Sequence, residues 1–240
     1  MRPTIAALVS GLIGLMMGAS VPAAHASTVT FVTPVGASTS GGPVNASATF
    51  ITDTGTLSVT LTDLQANPTD VAQTLSDLVF TLSTGQTTGT LTSSSGQQIT
   101  VNSGGTFTLG PTTATGWGLN NNVSGGLQLD ALGFVGPAGL IIGPSGPGNL
   151  YSNANGSIAA NGPHNPFLDQ TATFLISVAG LTAADTVTSA AFSFGTTAGV
   201  DISGVSSVPL PGALPLFVSG LVGLGPLGRR RKRNAKALSA

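Results

Sequence analysis

The sequence is short of charge and lacks two residue types altogether. Only 6% of its 240 residues are charged, and it contains neither Cys nor Glu, whereas ordinary soluble proteins carry roughly 25% charged residues. The absence of Cys excludes a thiol nucleophile, a disulfide framework and a thiolate metal site. All eight acidic residues are aspartates: Asp53, Asp63, Asp70, Asp77, Asp130, Asp169, Asp185 and Asp201.

Basic residues are confined to the two ends of the chain. Residues 3–228 contain neither Lys nor Arg, although Arg2 precedes this stretch and Arg229 follows it. Because a body without cations cannot neutralise phosphates, the sequence predicts that the protein does not bind nucleic acid. The same absence excludes an arginine clamp or P-loop lysine for nucleotides, and a lysine for Schiff-base chemistry.

The first 26 residues have the three parts of a secretory signal peptide. Arg2 supplies the positive charge, residues 5–17 form an apolar run that is short for a membrane span, and Ala24 and Ala26 fit an A-x-A cleavage site. We therefore predict a signal helix in 1–26, export through the Sec translocon and a mature chain that begins near Ser27. The alternative is an uncleaved membrane or amphipathic helix.

The C-terminal region contains an uncharged segment followed by a run of cations. Residues 210–228 would span roughly 28 Å as a helix at about 1.5 Å per residue, close to the roughly 30 Å of a bilayer core. This predicts a single transmembrane helix, with the tail 234–240 in the cytoplasm and the body on the outer side. The alternative is a buried helix followed by a disordered basic tail. The basic cluster consists of Arg229, Arg230, Arg231, Lys232 and Arg233.

The C-terminal features, taken together, resemble a PEP-CTERM sorting signal. Residues 208–233 contain a V-P-L-P motif, an apolar segment and an Arg cluster in the order typical of that family. The motif residues are Val208, Pro209, Leu210 and Pro211. The sequence departs from the family pattern at Leu210, where the name-giving motif has Glu.

This resemblance implies a partner enzyme and a destination. The partner is an exosortase, an inner-membrane cysteine protease-transpeptidase of Gram-negative bacteria, which would cut near Pro209–Pro211. The body would first face the periplasm on an inner-membrane tether, and would then pass to the cell surface or the extracellular matrix. Such systems accompany exopolysaccharide production and biofilm formation, so an exopolysaccharide partner is left open.

Residues 27–207, between the two ends, predict one exported all-β domain. Short alternating runs of Thr, Val, Ile, Phe and Leu are separated by Gly, Asn, Pro and Ser, and this pattern favours an antiparallel β-sandwich, jelly-roll-like or immunoglobulin-like. The competing interpretation is disorder, as expected for many Gly/Ser/Thr-rich chains. We favour a fold because 41% of the residues are hydrophobic and charge is scarce, the opposite of a disordered composition.

Local patterns add detail to this domain. Residues 48–52 and 56–64 form the clearest predicted hairpin, in which Leu57, Val59 and Leu61 share one face and the intervening Ser and Thr residues share the other. Asp70 is predicted to cap a brief helix that runs through Ser76. Residues 143–166 are rich in Gly, Pro and Asn and predict a long loop.

Catalytic chemistry has little support in the sequence. His164 is the only histidine of the predicted domain and lies in a turn-forming string, and the chain has no G-x-S-x-G nucleophile motif. A hydrolase that pairs His164 with a Ser and an Asp is therefore a minor alternative. We interpret Asp53, Asp63, Asp77 and Asp185 as turn and cap residues rather than as a glycosidase carboxylate pair, and predict a protein that is not an enzyme.

Two binding possibilities remain open at this level. Structural calcium could be held by Asp130 together with Asp169 or Asp201, but no D-x-D-x-D-G loop is present, so no cofactor is predicted. Trp117 is expected in the core, with an exposed sugar-stacking platform as the alternative. The sequence thus predicts a non-enzymatic surface or matrix protein, with an exported carbohydrate-binding β-sandwich module as the second hypothesis.

Overall fold

A computed structural model describes residues 26–133, 138–197 and 201–207. This part of the chain contains fifteen β-strands, connected mainly by turns and loops. The strands are β1 (Ser27–Val32), β2 (Ser38–Thr39), β3 (Gly42–Pro43), β4 (Ala46–Asp53), β5 (Thr56–Asp63), β6 (Leu75–Leu82), β7 (Thr90–Val101), β8 (Phe107–Thr113), β9 (Gly118–Val123), β10 (Gly126–Asp130), β11 (Ile141–Ile142), β12 (Phe167–Ser177), β13 (Val187–Phe194), β14 (Asp201–Ser203) and β15 (Val205–Ser206).

The predicted hairpin is formed by β4 and β5. Asp53 pairs with Thr56, so only Thr54 and Gly55 separate the strands, and Gly55 adopts the positive φ that such a tight turn favours. Side chains alternate along β5, with Leu57, Val59 and Leu61 buried in the core. The alternation predicted from the sequence is confirmed.

Thirteen strands form one large mixed sheet that branches. Its main path runs β14-β13-β6-β11-β12-β5-β4-β1-β15, with β10 and β9 added at β6, and β7 and β8 added at β12. We call β14-β13-β6-β10-β9 the first layer and β15-β1-β4-β5-β12-β7-β8 the second layer. The two layers meet through β11, which pairs with both β6 and β12.

One strand pair corrects the expectation of a wholly antiparallel sheet. β11 runs parallel to β12, with Ile141 opposite Leu168 and Ile142 opposite Asp169. β11 has only two residues and is followed by the long loop, so the chain can return to β12 in the same direction. The fold is therefore all-β and sandwich-like, with a mixed rather than purely antiparallel sheet.

The core lies between the two layers and is rich in aromatic and branched residues. Phe50 of β4 contacts Phe80 of β6 across the core, with ring centroids 5.2 Å apart, and also packs edge-on against Phe31. Trp117 packs against Phe174 at 5.3 Å. Because the described part of the chain contains no Lys or Arg, its stability depends on this apolar burial and on backbone hydrogen bonds.

Helical structure is minor in the described residues. Asp70 caps a 3₁₀ turn at Val71–Gln73 and accepts a hydrogen bond from the Ala72 N–H. This confirms the predicted cap, although β6 already begins at Leu75. The predicted loop 143–166 contains one short helix, α1 (Gly156–Ala159). None of the helices in the described ranges is long and apolar enough to cross a membrane.

Candidate functional site

The two large polar aromatics are core residues. Trp117 is 4% exposed and its Nε1–H donates to the Gly139 carbonyl at 2.8 Å. Tyr151 is 1% exposed and its hydroxyl donates to the Gly143 carbonyl at 3.0 Å. The core interpretation of Trp117 is therefore confirmed, and the ring is not available as an exposed sugar platform.

His164 lies at the long loop, where it contacts backbone. Its Nδ1 is 2.9 Å from the Ala138 carbonyl, and because a carbonyl oxygen can only accept, Nδ1 carries the hydrogen. Among the described residues, no hydrogen bond joins the ring to a Ser or Asp side chain. The structure thus places the His164 ring in hydrogen-bond contact with the loop that precedes β11. It does not place the ring in a Ser-His-Asp triad.

The aspartates divide into two groups. Asp53 and Asp185 lie in turns and accept local hydrogen bonds, from the Thr54 N–H in one case and the Thr182 N–H in the other, as predicted. For Asp77 the turn-and-cap prediction is wrong, because this residue occupies the middle of β6 and is 2% exposed.

Asp77 belongs to a lateral row of polar residues on the outer face of the first layer. Strand register places Asp201 of β14 opposite Ser193, Ser193 opposite Asp77, and Asp77 opposite Asp130 of β10. Residues directly opposite each other on paired strands project to the same face. We call Asp201, Ser193, Asp77 and Asp130 the aspartate row.

Two amide side chains beside the aspartate row form hydrogen bonds with it. Gln128 lies two residues before Asp130 on β10, and Asn120 lies opposite Gln128 on β9. The Gln128 amide donates to Asp77 Oδ2, and the Asn120 amide donates to Gln128 Oε1 at 3.1 Å and to Asp130 Oδ2 at 3.3 Å. Asp77 Oδ1 remains buried without a hydrogen-bond partner among the described residues. The row is therefore only partly satisfied, and its orphaned atom is a carboxylate oxygen.

Burial and like charge act together on Asp77. Desolvation and, to a lesser extent, the negative charges of Asp130 and Asp201 raise the pKa of its carboxyl to about 7, against the opposing hydrogen bond from Gln128. Two carboxylates directly opposite on paired strands repel each other. Near neutral pH this carboxyl is therefore partly protonated.

Asp63 is a second buried carboxyl, at the end of β5 where the two layers meet. Burial raises the pKa of Asp63 well above its usual range, against hydrogen bonds from the backbone of Gln65, Leu75 and Gly143. Its Oδ2 has no partner in the described part of the chain. Burial thus favours the neutral form of this carboxyl, while the backbone donors favour the charged form.

The described residues give little support for a metal-binding site. They contain no group of three or more His or Asp side chains placed to hold a metal ion. Asp130 and Asp201 share the aspartate row but are separated by β13 and β6, and Asp169 lies on β12 in the second layer. The structure thus does not bring Asp130 together with either of the partners considered for calcium.

The outer face of the second layer is covered by hydroxyl groups. Alternate residues of five adjacent strands project outward here, and nearly all of them are Ser or Thr. Register aligns Thr30, Thr49, Thr60, Thr173 and Ser95 in one row across all five strands. The hydroxyl face consists of Thr28, Thr30, Ser47, Thr49, Ser58, Thr60, Thr62, Thr171, Thr173, Ser93 and Ser95.

A shallow groove of about 330 Å³ lies on the hydroxyl face. The side chains that line it include Ser58, Thr60, Ser93, Ser95, Thr173 and Leu175. The sequence signal for this surface was the Ser/Thr alternation of β5. The sequence could not show that four neighbouring strands carry the same pattern in register, because strand order is a non-local property.

The sorting residues predicted from the sequence fall almost entirely outside the described ranges. Ala24, the motif 208–211, the segment 210–228 and the basic cluster 229–233 are not described by the structure. Ala26 is the first described residue, is exposed, and directly precedes β1.

Comparison with known proteins returned no relatives. No protein-family model matches the chain, and neither a curated protein nor a solved structure matches it.

Proposed function

We propose that this chain is an exported, non-enzymatic surface or matrix protein, made as an inner-membrane-tethered precursor and processed by an exosortase. The observation that carries the proposal is the order of three elements at the C-terminus: the motif 208–211, the apolar segment 210–228 and the basic cluster 229–233. The signal-like segment 1–26 supplies the export that this order requires.

The strand boundaries are compatible with cleavage at both ends. β1 begins at Ser27, directly after the proposed signal cleavage, and β15 ends at Ser206, before the sorting motif. β15 pairs antiparallel with β1, with Phe31 opposite Ser206. Both proposed cuts therefore fall outside the paired strands, so a processed body would keep its sheet intact.

We further propose an antiparallel β-sandwich of jelly-roll-like or immunoglobulin-like type for the body. The two layers with a shared aromatic core support this assignment. The parallel β11–β12 pair is a local exception of two residues. A sandwich of this kind presents loops and two outer faces as binding surfaces.

A carbohydrate-binding module is the second candidate. The hydroxyl face and its groove favour it, because they are exposed, uncharged and rich in groups that both donate and accept hydrogen bonds. Trp117 does not contribute to such a site, since it is buried.

Intact mass spectrometry of exported material tests the leading proposal. We expect a mature chain that starts near Ser27 and ends near Pro209–Pro211. Because trypsin finds no Lys or Arg in residues 3–228, the measurement needs the intact protein or a different protease. As a control, replacing all five cations of the basic cluster with Gln should abolish retention of the precursor in the membrane. Recovery of the full-length, unprocessed chain from the cytosol would contradict the proposal.

A further inference from the structure

Three properties distinguish the hydroxyl face from the rest of the surface. Its residues lie on paired strands, the eleven that define it are uncharged although Asp53 lies at the edge of the same face, and its hydroxyls are aligned in rows by strand register. The outer face of the first layer, by contrast, carries the aspartate row. Asp77, Ser193 and Asp130 of that row are buried, whereas every residue of the hydroxyl face is partly or fully exposed.

The groove holds unused hydrogen-bonding capacity. Thr30 and Thr49 bond each other through Oγ1 atoms 2.9 Å apart, and Thr62 and Thr171 do so at 3.2 Å. At the groove, the Thr173 hydroxyl donates to the Ser95 carbonyl at 3.5 Å and the Ser94 hydroxyl accepts from Thr115, whereas four further lining hydroxyls make no side-chain hydrogen bond within the described part of the chain. These hydroxyls belong to Ser58, Thr60, Ser93 and Ser95. Each offers one donor and two acceptor lone pairs to an outside group.

The dimensions of the face suit an extended ligand. The row from Thr30 to Ser95 crosses four strand spacings, roughly 19 Å at about 4.8 Å each, and outward residues recur along each strand at roughly 6.8 Å. Ile51 and Leu175 are exposed on the same face, at 42% and 37%. The surface thus combines a grid of hydroxyls with small apolar patches.

We infer that the hydroxyl face binds a neutral polysaccharide, with one segment of the polymer lying in the groove. Sugars present the same alternation of hydroxyl and C–H groups, so hydroxyl–hydroxyl bonds and contacts with Thr methyls and Leu175 complement them. This inference rests on the second function proposed above and names its binding surface and ligand class.

Charge and composition disfavour the other occupants. An anionic polymer would meet no cation, because residues 3–228 lack Lys and Arg. A protein partner or a second copy would need a desolvated apolar or aromatic centre, and the hydroxyl face contains no aromatic residue. A neutral ligand rich in hydroxyls avoids both difficulties.

Two matched triple variants of the exported domain test the inference. The groove variant carries Ser58→Ala, Thr60→Val and Thr173→Val, which remove hydroxyls but keep strand-forming side chains. The control variant carries Ser189→Ala, Thr81→Val and Thr188→Val, which remove a hydroxyl cluster from the outer face of the first layer. Binding is measured by depletion onto amorphous cellulose and by affinity electrophoresis in dextran, with alginate as the anionic comparison.

The expected result is retention on at least one neutral polymer, weakened about tenfold or more in the groove variant and unchanged in the control variant, since several hydrogen bonds are lost together. No retention on either neutral polymer, preference for alginate, or equal loss in both variants would overturn the inference. Self-association that the groove variant abolishes would also overturn it, because the face would then bind a second copy. These outcomes leave the mass-spectrometric test of export and sorting unaffected, so the two failures are distinguishable.

Discussion

Asp77 is a carboxyl in the middle of a strand, opposite Asp130, in a body without a single Lys or Arg. The described residues contain no Lys or Arg to offset this pair. The Gln128 amide donates to Asp77, and the Asn120 amide and the Leu132 N–H donate to Asp130. Because Asp77 Oδ1 is buried without a partner in the described residues, ionisation costs more here than at the surface. In the folded protein Asp77 therefore keeps its proton up to a pH of about 7.

This proton makes stability depend on pH. The pKa of Asp77 is raised to about 7 in the folded protein, against about 3.9 in an unfolded chain. Between these values the folded state holds a proton that the unfolded state has lost. The free energy of unfolding should therefore fall as pH rises from about 4 to about 7, by no more than roughly 4 kcal/mol, and level off above.

Urea denaturation of the protein between pH 4.5 and 8.5 measures this slope. Asp77→Asn should reduce it and stabilise the protein at pH 8 relative to wild type, because the neutral amide has no charge to desolvate. Asp63 contributes a slope of the same sign, so the Asp63→Asn, Asp77→Asn double variant should be the flattest. Asp53→Asn, at an exposed turn, is the control. An unchanged slope in Asp77→Asn would show that the row is ionised in the folded state.

Among the structural elements, the junction between the layers depends on one glycine. Gly143 follows β11, and a Cβ placed on it would lie 2.0 Å from the Gln65 carbonyl oxygen and 3.0 Å from Asp63 Oδ1. The Gly143 carbonyl also accepts the Tyr151 hydroxyl. A side chain at this position would therefore push apart the end of β5 and the strand that connects both layers.

We expect Gly143→Ala to destabilise the domain by about 3 kcal/mol or more, since the overlap is with backbone rather than with a flexible side chain. Thermal unfolding followed by circular dichroism measures the loss. Gly162→Ala is a matched control in the same loop, because a Cβ there meets nothing within 4 Å. Equal stability of the two variants would mean that the β11 junction adjusts at little cost.

The strands that the sequence predicted well are those with a clear period of two. In β5 the apolar residues alternate without interruption, and in β4 they alternate up to Phe50, so burial of one face decides both strand and orientation. Burial in β12 alternates in the same way from Ala172 to Ser177. The outward hydroxyl residues of the candidate face could be recognised along single strands in this way.

The elements that were missed have compositions that locally favour turns. In β7 the residues Ser93, Ser94, Ser95 and Gly96 locally favour a turn, yet pairing with β12 keeps the chain extended. β9 contains Asn120, Asn121 and Asn122, whose side chains bond neighbours instead of ending the strand. Tertiary pairing overrides local propensity in both strands.

The candidate sites were even harder to predict from the sequence than these strands. Asp77 and Asp130 are 53 residues apart, and only strand order places them opposite each other. Nothing in the sequence around Asp77 separates it from the turn aspartates, because all of them neighbour Ser or Thr. The buried carboxylate oxygen without a hydrogen-bond partner results from the strand order, and the pattern of a single sequence does not reveal strand order.

At the scale of the whole molecule, the body formed by residues 27–207 is a polyanion. Residues 27–207 contain all eight aspartates and no Lys or Arg, so its charges can only repel one another. Such self-repulsion destabilises a compact state and is screened by salt, whose Debye length falls from about 30 Å at 0.01 M to about 8 Å at 0.15 M. This predicts a stability that increases with ionic strength, the reverse of a protein held by surface ion pairs.

Melting temperature at pH 8 should therefore rise by a few degrees from about 0.01 to 0.15 M NaCl, where about 2–4 °C corresponds to 1 kcal/mol in a domain of this size. If screening is the whole cause, CaCl₂ at equal ionic strength should give a similar shift, and Asp77→Asn should reduce both shifts slightly and equally. A larger calcium shift that is lost in Asp77→Asn or Asp130→Asn, but kept in Asp53→Asn, would instead show that the aspartate row binds the cation. A melting temperature that falls with NaCl would contradict the polyanion argument itself, because screening can only relieve repulsion in a body without cations.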